Sequence, residues 1–468
     1  MPARQLWPSM EVSQGVGVDR FEFVVVGAGP AGEAATYLAR ERGASVAVVE
    51  RALAGGECPF FACMPSKTLL HAAGIHALGG DYPWAKASAR RDWMINREGR
   101  DVPDDSRHVR ALEEAGAVVI RGQGRLDGPG RVAVDTPGGG RVLEAAHVVL
   151  AVGSQPSIPR VDGLEDSHAW TTHEATGARS LPRSLVVLGG GPSGSELAQV
   201  FARYGVPVAI VHPHDRLNDR DHPRNSAALE AALRADGVDV RTSARASRII
   251  AGGGTDGAHR VEMADGSFVD GHAILVSTGR RTPLEGLGLE SLGIDTTGRL
   301  RPDDRLRIAD EVYVAGDAAG GELFTHVAHY EGEMAVRIAL GEDVRVDLRA
   351  VPRATYTEPE TAGVGLLVEQ ARAQGIDAFE VSIDVAKTAK GEILDSPGHV
   401  TIVVDRGAQE LVGAFAAGPA AAEAMHEAVL AIRARVPLAV LADTIHAFPS
   451  LARVFGTAFV DAQRHQGA

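Results

Sequence analysis

The sequence predicts an α/β protein with two doubly wound, Rossmann-like domains and a C-terminal α+β domain. Two segments, beginning at residues 23–32 and 185–194, repeat the order apolar strand, glycine-rich turn, helix and second strand. Beyond about residue 347 the pattern changes to short alternating strands, at 400–404 and 411–415, followed by a helical stretch. That change is typical of a separate α+β domain.

Composition limits the classes of function. The chain has 47 Lys and Arg against 61 Asp and Glu, a net charge of −14, so we expect no nucleic-acid partner. No apolar run is long enough to predict a membrane span. Two cysteines are too few for a disulfide-stapled secreted scaffold, and residues 1–20 read as a flexible tail rather than a signal peptide. We therefore expect a cytoplasmic protein.

The first glycine-rich turn predicts a dinucleotide site. Gly27 permits the tight turn, Gly29 lets the backbone approach a pyrophosphate, and Gly32 lets the helix pack closely on the strand. Glu50 ends the next strand, where a carboxylate can accept hydrogen bonds from a ribose hydroxyl.

The second turn repeats this plan with a change at the ribose position. Gly189, Gly191 and Gly194 occupy the glycine positions, but the following strand ends at His212, with Arg216 close behind and no carboxylate. Cationic groups there favour a 2′-phosphate, so we predict NADPH over NADH. A solvated loop that contacts nothing is the alternative.

The only two cysteines, Cys58 and Cys63, suggest a redox disulfide. Five residues of regular helix would separate them by about 140°, so we expect Cys58 at a distorted helix entrance. Pro59 fits a first helical position there, and Pro65 would break a backbone hydrogen bond further along. The alternative is two buried hydrophobic cysteines.

Together these motifs resemble the FAD-dependent pyridine nucleotide–disulfide oxidoreductases, the group that contains dihydrolipoyl dehydrogenase, glutathione reductase and mercuric reductase. The resemblance extends from about residue 21 to residue 463. It rests on the motifs at 27–32, 55–67, 189–196, 277–280, 315–317 and 356–360.

The resemblance implies a role for each matching residue. Cys63 would lie against the flavin, and Cys58 would be the interchange thiol. Lys67 and Glu196 would pair beside the isoalloxazine, although a surface lysine and an ordinary helix-turn glutamate remain the alternative. The first turn and Glu50 would hold FAD, and the second turn would hold NADPH or NADH. Further cofactor contacts would come from Pro30, Ala31, Arg51, Glu57, Gly153, Ser154, Gly279, Arg280, Gly316, Asp317 and Thr325.

The resemblance also implies a domain organisation and a homodimer. The predicted FAD-binding domain comprises 21–157 and 283–346, the NAD(P)-binding domain 158–282, and the dimerisation domain 347–468. Residues 81–106 are charged and poorly periodic, and no role is assigned to them.

The chain departs from the family pattern in its last domain. Disulfide-reducing members carry a His acid/base and an orienting Glu where this sequence has Phe448 and Arg453. Phenylalanine cannot move a proton, and general acid–base catalysis contributes roughly 10²–10⁴-fold. His446 or His426 could substitute, although a hydrogen-bonded interface histidine is the simpler interpretation. The C-terminal cysteine pair of mercuric reductases is absent from the sequence.

Phe60 and Phe61, between the cysteines, suggest either core packing or an aromatic wall for a flat oxidant. We predict an FAD enzyme that oxidises NAD(P)H and reduces a small oxidant such as a quinone or a metal ion, with no resident metal site. A disulfide reductase with a relocated acid/base and a flavin-bound redox sensor are the alternatives.

Overall fold

The computed structural model describes residues 18–97, 102–296 and 298–465. The chain divides into two compact units, each assembled from three separate stretches. Unit 1 comprises the described residues of Met1–Met64, Asp92–Gln155 and Arg280–Val346, and unit 2 those of Pro65–Arg91, Pro156–Gly279 and Asp347–Ala468.

The centre of unit 1 is a mainly parallel sheet. Val24 and Val25 are fully buried on opposite faces, which explains why the first strand reads as a continuous apolar run. In spatial order the strands are Arg307–Ala309, Val312–Val314, Gly139–Leu150, Asp19–Val26, Val46–Glu50 and Val118–Arg121, with only the first antiparallel to its neighbour. Strands Gln123–Leu126 and Arg131–Thr136 extend Gly139–Leu150 as an antiparallel ribbon.

Two long helices, Pro30–Glu41 and Thr325–Ala339, cover one face of this sheet. They pack closely, because a Cβ on Gly332 would lie 2.2 Å from the Ala31 carbonyl oxygen. Other helices of this unit are Glu57–Phe60 and Ser106–Glu114, while Cys63–Ala77 and Trp84–Asn96 continue from one unit into the other.

Unit 2 contains a second parallel sheet, whose order is Asp239–Arg241, Val208–Val211, Leu185–Leu188 and Ala273–Val276. Its helices are Thr172–Gly177, Pro192–Arg203 and Pro223–Ala235. Strands Ala246–Ile250, His259–Met263 and Phe268–Gly271 form an antiparallel sheet beside it.

The C-terminal part of unit 2 is an antiparallel five-stranded sheet backed by helices. The sheet order is Arg353–Thr355, Glu360–Gly365, Glu410–Gly418, His399–Asp405 and Ala378–Asp384. Its core contains the fully buried Phe455 and Phe459 of the last helix. The helices are Val368–Ala373, Ala389–Leu394, Ala421–Ala424, His426–Ala434, Leu438–Ala442 and Leu451–Arg464.

The predicted fold class is confirmed, with local differences. The helices after the two glycine-rich turns begin at Pro30 and Pro192, each of which fits a first helical position after an extended glycine. The helical stretch predicted after the last short strands is two helices, Ala421–Ala424 and His426–Ala434, that break at Met425. Of the predicted tail, residues 1–17 lie outside the described residues, and Asp19 begins the first strand.

The charged segment 81–106 contains the helix Trp84–Asn96 and has a structural position that its sequence did not reveal. Arg91, 1% exposed, donates to the carbonyl oxygens of Thr176 and Ala178 at the end of a neighbouring helix. Residues 98–101 of this segment lie outside the described residues. None of the helices within the described ranges has the length and apolar character that crossing a membrane requires.

Candidate active site

The first glycine-rich turn has room for a ligand at one position and none at the other two. At Gly27, where φ is +102°, an added Cβ would lie 2.3 Å from the carbonyl oxygen of Ala151. At Gly32 an added Cβ would lie 1.9 Å from the carbonyl oxygen of Gly27. At Gly29 the nearest atom is 3.8 Å away. The backbone is therefore open at the position predicted to approach a pyrophosphate, next to a helix N-terminus that favours anions.

Glu50 lies beside this turn, as predicted. It is 8% exposed, and its two carboxylate oxygens accept from Ala28 N at 2.7 Å and Ala52 N at 2.6 Å. A carboxylate has about four acceptor sites, so it can still accept from ribose hydroxyls.

Three predicted cofactor residues of unit 1 meet around a fourth, Arg280. Its Nε donates to Ser154 Oγ at 2.6 Å and lies 3.7 Å from Asp317 Oδ2, and its Nη2 lies 3.4 Å from Glu57 Oε2. Ser154 Oγ in turn donates to Asp317. Arg280 therefore connects the segment before the cysteines with the turn that carries Asp317. Arg51, which was also predicted to contact the cofactor, has an exposed side chain.

Glu331 is a site residue that the sequence did not indicate. It is 2% exposed, and its carboxyl accepts a hydrogen bond from Gly316 N at 2.8 Å, next to Asp317. Burial, with the negative charge of Asp317 adding to it, raises the pKa of Glu331 to about 7. An acid at a position that the helix Thr325–Ala339 buries was the available signal.

The two cysteines lie on separate helices joined by a short break. Cys58 belongs to Glu57–Phe60, and Cys63 begins Cys63–Ala77. The distorted entrance is therefore present, but the roles expected of the prolines are wrong. Pro59 is the third residue of its helix rather than the first. Pro65 is also a third residue, where the backbone N–H would have no intrahelical partner to lose.

Both cysteines are half-buried. Cys63 Sγ lies 3.5 Å from Thr325 Oγ1, at the start of the helix Thr325–Ala339. The hydrogen bond with Cys63, followed by burial, raises the pKa of Cys58 well above its usual range.

The two phenylalanines between the cysteines differ in burial. Phe60 is 1% exposed, with its ring centroid 5.7 Å from that of His108 and 6.3 Å from that of Phe61. His108 is itself held by Glu33, at 2.7 Å. Core packing is thus the correct interpretation for Phe60, and only the half-buried Phe61 can contribute to an aromatic wall.

The second glycine-rich turn, in unit 2, reproduces the first. At Gly189 an added Cβ would lie 2.3 Å from the carbonyl oxygen of Ser277, and at Gly194 it would lie 2.1 Å from the carbonyl oxygen of Gly189. At Gly191 no atom lies within 4 Å of an added Cβ. Gly279, with φ +110°, lies in the segment after the strand Ala273–Val276.

Lys67 and Glu196 form an ion pair in unit 2. Lys67 Nζ lies 2.6 Å from Glu196 Oε2 and 4.9 Å from the centre of the Tyr356 ring. The other oxygen of Glu196 accepts from Tyr356 N at 3.0 Å. The Glu196 side chain is 3% exposed, so the alternative of an ordinary helix-turn glutamate does not describe it.

His212 does not have the cationic character predicted for it. The residue is 5% exposed, and burial lowers its pKa, so the imidazole is neutral at pH 7. Its Nδ1 accepts from Gly190 N at 3.1 Å. The guanidinium of Arg216 donates to the backbone carbonyls of Asp219 and Asp221.

The C-terminal segment places Phe448 at the surface and His446 in the interior. Phe448 is 74% exposed, whereas the His446 side chain is 4% exposed, with Nε2 2.8 Å and 3.0 Å from the two oxygens of Glu427. His426 and Arg453 are exposed. Across the described ranges, no group of three or more His, Cys, Asp or Glu side chains could hold a metal ion.

Two family models match the chain. The model described as pyridine nucleotide-disulphide oxidoreductase covers residues 21–332, and the model for the dimerisation domain of the same family covers residues 351–459. The chain belongs to the pyridine nucleotide-disulphide oxidoreductase family. It is therefore an FAD-dependent enzyme that uses NAD(P)H, as its relatives do.

Curated relatives of this oxidoreductase include two kinds of enzyme. It is 33% identical to the mercuric reductase of Shigella flexneri over 448 residues, covering 92% of this chain and 78% of the relative. It is 30% identical to the dihydrolipoyl dehydrogenase of Chlorobaculum tepidum over 468 residues, covering 96% of this chain and 98% of the relative.

Solved structures agree with this membership. LpdA of Mycobacterium tuberculosis is 27% identical, with a TM-score of 0.85 and coverage of 95% of this chain and 100% of that one. RclA of Escherichia coli, an HOCl-induced flavoprotein disulfide reductase solved as a Cu(II) complex, is 25% identical, with a TM-score of 0.84. The match covers 95% of this chain and 99% of the RclA chain.

Proposed function

We propose that this oxidoreductase uses NAD(P)H to reduce a small oxidant, a quinone or a metal ion, and is inefficient with dithiol-linked disulfides. The observation that carries the proposal is the surface position of Phe448. Reduction of a substrate disulfide requires a proton for the leaving thiolate, and a phenylalanine side chain cannot supply one. A quinone can take protons from water, and a metal ion needs none.

The nearest histidine is poorly suited to replace the missing acid/base. His446 is buried, and its Nε2 already faces both oxygens of Glu427. A Cβ on Gly456 would lie 2.5 Å from its Nδ1, so the second nitrogen faces the backbone of the last helix. These contacts favour a structural histidine–carboxylate pair.

The residues around the first turn fit FAD. We propose that the turn shaped by Gly27 and Gly32 admits its pyrophosphate at Gly29, that Glu50 binds the adenosine ribose, and that Asp317 binds the ribityl chain. The open backbone at Gly29 and the spare acceptor capacity of Glu50 support this assignment. Bound FAD supplies two-electron acceptance from NAD(P)H.

Cys58 and Cys63 are proposed as the electron store. Their oxidation to a disulfide forms one S–S bond and releases two electrons and two protons, and reduction reverses both. The hydroxyl of Thr325 can hydrogen-bond to the sulfur of Cys63. Lys67, held by Glu196, is proposed to place a cation beside the cofactor.

A metal ion as oxidant has support of its own. Two half-buried thiols are the soft ligands that copper and mercury ions prefer. The similar RclA was solved as a Cu(II) complex, and similar curated enzymes are mercuric reductases.

A disulfide reductase with a relocated acid/base is the second candidate. The observation that favours it is the His446–Glu427 pair, because a carboxylate that orients a histidine is the arrangement such a base requires.

We also propose that two copies of the chain associate. The segment matched by the dimerisation model exposes large apolar side chains, with Leu430 64%, Ile445 98% and Phe448 74% exposed. Sedimentation at micromolar concentration is expected to give a dimer, and a monomer would contradict this part of the proposal.

An acceptor panel tests the function. NADH and NADPH are each offered to the purified holoenzyme with lipoamide, glutathione disulfide, a benzoquinone, Hg²⁺ or Cu²⁺. Turnover with a quinone or a metal ion, and little with either disulfide, is the expected result. Robust lipoamide reduction would support the second candidate, and no oxidation with any acceptor would support a redox sensor.

A further inference from the structure

The two glycine-rich turns are held by equivalent residues of different chemistry. In unit 1 the residue that ends the second strand, Glu50, accepts a hydrogen bond from the second residue of its turn, Ala28 N, at 2.7 Å. In unit 2 the residue that follows the second strand, His212, accepts from Gly190 N at 3.1 Å. His212 therefore stands where a Rossmann fold normally places the group that recognises the adenosine ribose.

The second nitrogen of His212 is a buried donor. Because Nδ1 accepts from Gly190 N, the ring proton must lie on Nε2. His212 is 5% exposed, and Nε2 makes no hydrogen bond within the described part of the chain. The carboxylate oxygen Asp219 Oδ1 lies 3.9 Å from Nε2, which is beyond hydrogen-bonding distance. An unsatisfied donor in such a position suits a ligand oxygen.

The charge around this donor does not favour a phosphate. Burial holds the imidazole neutral by lowering its pKa. Arg216, the closest arginine in sequence, already donates to two backbone carbonyls. Asp219 brings a negative charge to within 3.9 Å of the donor, so a 2′-phosphate that accepted from Nε2 would meet a carboxylate.

We propose that His212 and Asp219 together recognise the ribose 2′-hydroxyl of NADH and disfavour the 2′-phosphate of NADPH. A hydroxyl can accept from His212 Nε2 and donate to Asp219, which the spacing of these two groups permits. This inference rests on the proposed NAD(P)H site, and it reverses the preference that the sequence predicted from a cationic His212.

The affinities of NAD⁺ and NADP⁺ for the oxidised holoenzyme, measured by titration calorimetry, test the proposal without turnover. We expect NAD⁺ to bind at least about tenfold more tightly than NADP⁺. Asp219→Asn should reduce this ratio to about threefold or less, mainly through tighter NADP⁺ binding, because it removes the charge that repels the phosphate. The matched control is Asp265→Asn, an exposed carboxylate in the turn between strands His259–Met263 and Phe268–Gly271, which should leave the ratio unchanged.

Variants of His212 separate recognition from folding. His212→Gln keeps an acceptor for Gly190 N and a second donor, so it should retain the preference for NAD⁺, whereas His212→Leu should lose most of it. NADP⁺ binding as tight as NAD⁺, or an unchanged ratio in Asp219→Asn, would overturn the inference alone. If neither nucleotide binds, both the inference and the proposed nicotinamide site fail.

Discussion

Glu196 connects two groups at once: Oε2 lies 2.6 Å from Lys67 Nζ, and Oε1 accepts a hydrogen bond from Tyr356 N at 3.0 Å. The Glu196 side chain is 3% exposed and that of Lys67 is 37% exposed, so the carboxylate depends on these partners far more than the ammonium does. Within unit 2 the carboxylate thereby connects Lys67 and Tyr356 to the helix Pro192–Arg203.

Lys67→Met should destabilise the protein because it leaves the buried Glu196 carboxylate without its cation. Breaking a fully buried pair costs about 3–5 kcal/mol, and the partial exposure of Lys67 reduces the expected loss to about 2 kcal/mol. The free energy of unfolding from urea titration measures it. The control is Arg183→Met, whose ion pair with Asp256 is exposed at 66% and 71% and should contribute almost nothing. Equal losses in the two variants would contradict the structural importance of Glu196.

Three glycine-to-alanine changes separate packing from ligand approach. Gly32→Ala places a Cβ 1.9 Å from a carbonyl oxygen and should abolish stable FAD binding, measured by flavin content after purification. Gly194→Ala, with a contact of 2.1 Å, should disrupt the nicotinamide turn in the same way.

Gly191→Ala meets no protein atom within 4 Å, so the fold should remain unchanged. We expect its NAD⁺ affinity to fall by about tenfold or more, because the new methyl group lies where the pyrophosphate approaches. Unchanged affinity would show that the dinucleotide does not bind at this turn.

The parts of the fold that the sequence predicted correctly are those governed by local chemistry. The strands at 400–404 and 411–415 and both glycine-rich turns follow from the apolar pattern and from backbone conformations that glycine allows. His212 was misinterpreted because its charge depends on burial, which involves residues distant in the sequence. Glu331 and Arg91 were missed for the same reason, since each binds a backbone group outside its own helix.

Cys58→Ser separates the acceptors from one another. The variant cannot form the disulfide, so we expect turnover of lipoamide and glutathione disulfide to fall to the background rate. Quinone turnover should stay within about tenfold of wild type if a quinone does not require the disulfide. Met64→Leu, a conservative change beside Cys63, is the control in steady-state NAD(P)H oxidation assays. Loss of quinone turnover comparable to the loss of disulfide turnover would show that all electrons pass through the cysteine pair.

Acid should destabilise unit 2 through His399. This residue is 4% exposed and bonded to Asn225 at 2.8 Å, and burial, with the positive charges of His222 and Arg224, lowers its pKa to about 3. Between that value and the unfolded pKa near 6.5 the unfolded chain binds the extra proton, so stability falls as the pH falls.

Between pH 7 and pH 5 this histidine should contribute a loss of about 2 kcal/mol. His399→Gln, which retains hydrogen-bonding groups but cannot titrate, should show a correspondingly smaller loss in urea unfolding at the two pH values. The exposed His426 provides the control, since His426→Gln should leave the pH dependence as in wild type. An identical pH dependence in His399→Gln would contradict the assignment.

Lipoamide turnover in wild type and in the double variant Phe448→His, Arg453→Glu tests the central claim most directly. If the missing acid/base limits disulfide chemistry, wild type should be slow. Restoring a histidine and its carboxylate should raise kcat/KM for lipoamide by about tenfold or more, towards the roughly 10²–10⁴-fold that general acid–base catalysis provides, while quinone turnover changes little. Efficient lipoamide reduction by the wild-type enzyme, with no gain in the double variant, would contradict the account.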